Sequence, residues 1–299
     1  MAQVQLPSGA VSGPRPGVFS YFRFNPDVHT REKPYEILVN LPPGRQRHNQ
    51  EFEDCKTTVT DVRGRETDFS LDVNGFCWRK WAGPEAWRGI DAEAVKALGH
   101  DRIMSGYVAQ AEEFLRSELA VSGESEVDIV KVFDYRMRKP SKPGRSTLTM
   151  DWTPFFQFHT HTLSFNGAIL RVKEHMKDDA DELLKRRFRI INIWKPLKRV
   201  SDWPLAVCDS TTVPRRDLIA NDLVRRRYIG ESFYSTYNPE HRWYYLSNQE
   251  PDEVTLLKIH DSDESAAVRY SLHSAFHLGL SDDSRESFEV RALVFDAPR

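Results

Sequence analysis

A mainly β fold with flanking helices is predicted by three features of this 299-residue sequence. Short strand-like runs recur through its second half, at 127–133, 155–163, 188–194, 243–246, 254–260 and 287–295. Helical spacing of apolar residues is confined to a stretch before residue 120 and another between 167 and 185. In the last run the two faces separate: Phe288, Val290, Ala292 and Val294 take one side, and Arg285 and Ser287 the other. Such a strand packs its apolar face on an outer layer and turns a polar face to a site.

The elements follow in order. Residues 1–17 are rich in Gly, Pro, Ser and Gln and are expected to be flexible. Residues 18–24 alternate as a strand. The runs 57–62 and 68–73 flank Arg63-Gly64-Arg65 and read as a hairpin. The aromatic stretch 76–87 covers a core edge. Asp91 caps a short helix that ends near Gly99, and Ile103, Tyr107, Val108, Ala111, Phe114, Leu115 and Leu119 define an amphipathic helix over 101–119. The basic runs 185–189 and 225–227 read as solvated faces. No linker stands out, so 18–299 is expected to be one domain, with an N-terminal elaboration (18–125) and a β-helix core (126–299).

Composition narrows the class. The chain is 39% apolar and 29% charged, with 11% aromatic residues, the balance of a soluble globular protein. A net charge of −2 provides no global basic field for nucleic acid or an anionic membrane. No apolar run reaches membrane-span length, and residues 1–17 lack the apolar segment of a secretory signal. Cys55, Cys77 and Cys208 form no C-x-x-C pair, which suits a reduced, cytoplasmic setting.

One set of residues carries chemistry. His159 and His161, two apart on a strand, point the same way and can grip one metal ion. A distant His273 would complete a facial set. Arg285, with Ser287 two residues on, could anchor a carboxylate beside that metal. The order is more specific than its parts: H-x-H on a strand, a long insert, His, then R-x-S opening the final strand. In a double-stranded β-helix, the jelly-roll or cupin-like barrel of two facing sheets, those positions fall at one end of the interior. Asn192, polar within the apolar run 190–194, needs a partner, and a ligand oxygen could be one. His241 and His260 are rival ligands, and Asp261 could supply a carboxylate if His161 does not bind. Trp243, Tyr244 and Tyr245 read as core and pocket wall.

A longer series of motifs adds a resemblance. It comprises Arg189-Ile-Ile-Asn-Ile-Trp-Lys-Pro-Leu197, Pro204-Leu-Ala-Val-Cys-Asp209, Tyr237-Asn-Pro-Glu-His-Arg-Trp-Tyr-Tyr245, Asp252-Glu-Val-Thr-Leu-Leu-Lys258, His273-Ser-Ala-Phe276 and Arg285-Glu-Ser-Phe-Glu-Val-Arg-Ala-Leu293. Together they resemble the AsaB-type hydroxylase/desaturase family of fungal secondary metabolism, to which gibberellin desaturase and the cephamycin methoxylation component are similar. The resemblance implies an Fe(II)- and 2-oxoglutarate-dependent oxygenase acting on a small molecule. His159 and His273 would be iron ligands, and Arg285 with Ser287 would hold the distal carboxylate of 2-oxoglutarate. His161 stands where the family has an acid. With three neutral imidazoles the bound complex is formally neutral, where the usual set leaves it singly negative, so oxidation should be harder. Three functions follow: such an oxygenase, hydroxylating, desaturating or closing a ring; a redox-neutral cyclase or isomerase on the same fold; and a non-catalytic binding protein.

Overall fold

The computed structural model describes residues 13–122, 126–138, 160–226, 228–280 and 285–298. Its strands are β1 (Pro14–Phe22), β2 (Tyr35–Ile37), β3 (Phe52–Asp61), β4 (Phe76–Lys80), β5 (Val127–Arg138), β6 (His161–Leu163) and β7 (Phe188–Pro196), then β8 (Leu205–Cys208), β9 (Leu218–Val224), β10 (Ile229–Ser235), β11 (Trp243–Tyr245), β12 (Glu253–Asp261), β13 (His273–Ala275) and β14 (Ser287–Asp296). The α-helices are α1 (Pro26–His29), α2 (Ala92–Arg102), α3 (Ala109–Ser122), α4 (Phe165–Met176) and α5 (Ala180–Leu183).

One sheet has the order β1-β3-β11-β8-β13-β6-β10-β9-β2 and the other β4-β12-β7-β14-β5. Successive core strands β5, β6, β7 and β8, then β11, β12, β13 and β14, pass between the two. The central four of each sheet, β11-β8-β13-β6 and β12-β7-β14-β5, are the two faces of a double-stranded β-helix. The N-terminal region builds onto both: β1 and β3 extend the larger sheet beyond β11, and β4 extends the smaller beyond β12.

Alternation decides the layering. Phe288, Val290, Ala292, Val294, Ile191 and Ile193 face outward and pack with Tyr107, Ala111, Leu115 and Leu119. Ile190, Trp194, Leu293 and Phe295 face inward and meet Leu163 and Val207 of the opposing sheet. The helical layer forms as its sequence implies. Asp91 accepts from the Ala94 amide, and Gly99 breaks the helix with φ +76°. The continuation runs through a π-helical turn, Ile103–Val108, into α3.

The hairpin expected over 57–73 does not form. β3 pairs antiparallel with β1 and parallel with β11. After Gly64 the chain enters a 3-10 turn, Glu66–Asp68, and Asn74 Oδ1 accepts from the Ser70 amide. Phe69 and Leu71 are buried and Val73 is exposed, so the alternation marks anchoring points of a turn. β1 also starts at Pro14, inside the stretch expected to be flexible. The basic run 185–189 is only partly solvated: Arg187 pairs with Asp261 at 2.7 Å and buried Arg189 with Asp296 at 2.6 Å.

Lys195 faces the outer layer, buried, with its Nζ 3.4 Å from the Trp81 carbonyl. Burial pushes its pKa down to about 8, against the opposing charge of Asp252. The unfolded chain therefore binds more protons between about pH 8 and the ordinary lysine value, so this group's penalty is complete below pH 8 and fades as pH rises. Lys195→Met is expected to raise the melting temperature at pH 7, by up to roughly 3 kcal/mol of stability. The gain should shrink towards zero in melts taken near pH 10.5, and a gain independent of pH would refute burial of the ammonium charge as its cause.

Candidate functional site

The site begins with a row of residues across the larger sheet. His273 on β13 pairs in register with His161 on β6 and with Val207 on β8. Directly opposed residues share a face. Val207 and Leu163 pack between the sheets, so both histidines look into the barrel. Their rings lie 5.0 Å apart between centroids, and Tyr234 lies 6.4 Å from His161. Behind β6, Ser164 caps α4 by accepting from the Gly167 amide. A Cβ at Gly167 would sit 2.2 Å from the Glu231 carbonyl, so only glycine lets α4 settle against β10 and hold β6 in place. His159 lies outside the described residues.

Facing the histidines is the inner side of β14 with its neighbours. Arg285 comes just before β14, and Ser287, Glu289 and Arg291 follow at alternate positions. On β5, Arg138 stands opposite Ser287, Arg136 opposite Glu289 and Asp134 opposite Arg291. On β7, Trp194 stands opposite Glu289 and Asn192 opposite Arg291. Arg285 is buried, its guanidinium 5.1 Å from the Trp194 ring centroid, and its Nη1 donates to the Trp203 carbonyl at 2.8 Å.

Sequence reasoning missed Glu289, which joins these strands. Its Oε1 accepts from Asn192 Nδ2 at 2.7 Å and from Arg291 Nε at 3.2 Å, and Arg138 Nη2 lies 3.6 Å from Oε2. One Asn192 amide hydrogen is thus taken by protein. The available signal was position: Glu289 continues the inward face begun by Arg285 and Ser287.

Electrostatically the array wants an anion. Among the described residues, the guanidinium groups of Arg136, Arg138, Arg285 and Arg291 outnumber the carboxylates of Asp134 and Glu289 by two. Burial, and then the charge of Arg138, hold the Arg285 pKa well below its ordinary value. Arg291 repels Arg136 and, with burial, lowers it to about 10. Burial opposes the charged form of Glu289, but Arg291 and Arg138 outweigh it and keep this carboxyl well below the usual range. Burial likewise lowers the His273 pKa, leaving a neutral ring that can bind a metal.

His273 Nε2, Ser287 Oγ, Asn192 Oδ1 and Trp194 Nε1 are buried here without a hydrogen-bond partner among the described residues. Buried polar atoms are normally satisfied. An imidazole nitrogen on one wall, facing a hydroxyl and a buried guanidinium on the other, has the chemistry to suit a metal ion with a chelating carboxylate ligand. The described residues, which do not include His159, contain no group of three His, Cys, Asp or Glu able to hold a metal.

The rival ligands fall away. Asp261 is tied to Arg187 and, at 3.0 Å, to Lys258, so it is a structural ion pair and does not replace His161. His241 Nε2 lies 3.1 Å from Asp217 Oδ2, and His241 stacks near Tyr21 on the outer side of the larger sheet. His260 lies between Phe188 and Phe165, its pKa pushed down to about 3 by burial and by Arg269. Trp243 and Tyr245 are core residues, as expected.

Comparison with known proteins agrees with this geometry. A family profile described as "Oxidoreductase/YMDC permease-like domain" matches residues 19–295. The hydroxylase/desaturase efuI of Hormonema carpetanum is 32% identical over 79% of this chain and 82% of that protein. The Fe(II)/2-oxoglutarate-dependent dioxygenase nvfI of Aspergillus novofumigatus is 31% identical over 90% of this chain and 93% of its own. A solved structure of a variant of NvfI, titled an iron and alpha-ketoglutarate-dependent endoperoxidase, superposes with a TM-score of 0.79 at 27% identity, covering 96% of this chain and 98% of that one. Aspirochlorine biosynthesis protein N of Aspergillus oryzae is 44% identical, over 43% of this chain and 57% of that protein's length.

Proposed function

Because the chain belongs to the AsaB-like hydroxylase/desaturase family of Fe(II)- and 2-oxoglutarate-dependent dioxygenases, we propose that it oxidises a small organic intermediate of secondary metabolism, by hydroxylation, desaturation or oxidative ring closure. The observation that carries this reading is a pair of buried atoms on facing walls, His273 Nε2 and Ser287 Oγ, that have no hydrogen-bond partner among the described residues, with the buried Arg285 guanidinium alongside. In this reading His159, His161 and His273 hold Fe(II). Arg285 and Ser287 hold the distal carboxylate of 2-oxoglutarate, and Asn192 steadies Glu289 beside it. Bound iron and cosubstrate supply the activation of dioxygen needed to break a C–H bond.

The chain's own residues do the rest. The guanidinium groups that Arg138, Arg285 and Arg291 place on this wall favour a dianion such as 2-oxoglutarate. Trp194 and Tyr234 flank Arg285 and His161 with aromatic rings, against which the substrate would pack. A redox-neutral cyclase would have no need of Arg285-x-Ser287. Residues 18–299 act as one unit in this proposal, with 18–125 supplying edge strands and the helical cover. The free thiols Cys55, Cys77 and Cys208 suit a cytoplasmic setting. Among the described residues, no helix is long and apolar enough to cross a membrane.

Anaerobic addition of Fe(II) and then 2-oxoglutarate is expected to produce a visible metal-to-ligand absorption band. Absence of that band, in protein that also retains no metal when purified without chelator, would sink the proposal.

A further inference from the structure

Two loops meet beside Arg285. One joins β7 to β8 and carries Asp202 and Trp203, and the other follows β13 and carries His277, Leu278 and Leu280. Asp202 is completely buried. Its Oδ1 accepts from the Trp203 and Leu278 amides, each at 2.7 Å, and its Oδ2 accepts from the Leu280 amide at 3.1 Å. His277 Nε2 lies 3.3 Å from the same Oδ2, and its ring packs on Trp203 at 4.6 Å between centroids.

Trp203 has φ +56°, a left-handed conformation that a residue with a Cβ rarely adopts. It persists only where surrounding contacts over-determine it. The result of the turn is directional: the Trp203 carbonyl faces the guanidinium and accepts from Arg285 Nη1. Asp202 therefore acts on Arg285 through Trp203: it sets the neighbouring residue whose carbonyl aims the guanidinium, and it also holds the Leu278 and Leu280 amides.

We propose that Asp202 is a positioning residue for the cosubstrate anchor, a carboxylate staple that pre-sets Arg285 for the distal carboxylate of 2-oxoglutarate. The inference rests on Arg285 being that anchor. Asp202 acts through Trp203 on Arg285, so its effect falls on 2-oxoglutarate affinity and leaves the metal site alone. A staple with a merely structural role would change thermal stability and metal and cosubstrate affinity together, or stability alone.

The test uses the full chain loaded with Fe(II) under nitrogen and titrated with 2-oxoglutarate, read by the metal-to-ligand absorption band. Asp202→Asn, which substitutes an amide donor for one of the accepting oxygens, is expected to raise the 2-oxoglutarate dissociation constant by about tenfold. Affinity for Co(II), followed by its own d–d absorption without cosubstrate, should change by less than about twofold. Trp203→Gly is the second variant, because glycine takes the left-handed conformation without strain and leaves folding intact. Freed of the indole, its carbonyl is less fixed, and a smaller rise of about threefold in the same constant is expected. An unchanged constant in both variants, or equal losses of Co(II) and 2-oxoglutarate affinity, overturns the proposal. Arg285→Gln run in parallel separates the staple from the anchor. If it abolishes 2-oxoglutarate binding while Asp202→Asn has no effect, only the staple fails; if it too has no effect, the anchor fails with it.

Discussion

Arg285→Gln is expected to weaken 2-oxoglutarate binding by about 100-fold or more, the scale for truncating one partner of a buried charge pair. The size follows from surroundings as well as contact. Burial and the charge of Arg138 both disfavour the positive charge on Arg285, so its guanidinium gains from an anion as a solvated arginine would not. Glutamine keeps a hydrogen-bond donor but removes the charge and the forked geometry that matches a carboxylate. The fold should tolerate the change, because it relieves a crowded cation: a melting temperature within a few degrees of the parent is expected. Isothermal titration under anaerobic conditions measures the affinity, and scanning calorimetry the stability. A loss of binding accompanied by a large loss of stability would mean that Arg285 is structural.

His161→Asp is expected to strengthen Fe(II) binding by roughly tenfold and to speed 2-oxoglutarate turnover. His161 faces the interior directly opposite His273, so an aspartate there keeps the position and replaces a neutral donor by an anionic one. The arginine array around Glu289 adds positive potential to the same cavity, which raises the value of a negative ligand. Metal affinity can be read by competition with a chromophoric chelator, and turnover by succinate release. Weaker binding and slower turnover would show instead that the imidazole is a working ligand to which the rest of the site is adapted.

Much of this architecture was legible in the chain. The outward row Phe288, Val290, Ala292 and Val294 and the inward start Arg285 and Ser287 were readable because strand alternation has a strict period of two. Asp91 and Gly99 announced their helix ends through capping and left-handed backbone. Short, wholly buried β8 has no alternation to detect, since both of its faces pack, and its four residues resemble any apolar run. The hairpin expected near Gly64 failed because local alternation cannot say which strand will be the partner. β3 took β1 and β11, which are far away in sequence.

The site divides in the same way. Residue identity and spacing alone singled out His159, His161, Asn192, His273, Arg285 and Ser287, along with the rivals Asp261, His241 and His260. Only tertiary structure could dismiss the rivals, because Arg187 and Lys258 neutralise Asp261, and Asp217 engages His241, through contacts that no local pattern announces. Glu289 and Asp202 emerged for the same reason. Each is an ordinary acid in sequence, and becomes consequential through partners brought in by other strands and loops. The sequence by itself determined the alternating faces, the candidate ligands and the departure at His161. The tertiary structure decided which polar atoms are buried together, because burial and charge balance belong to the assembled barrel and to no local segment.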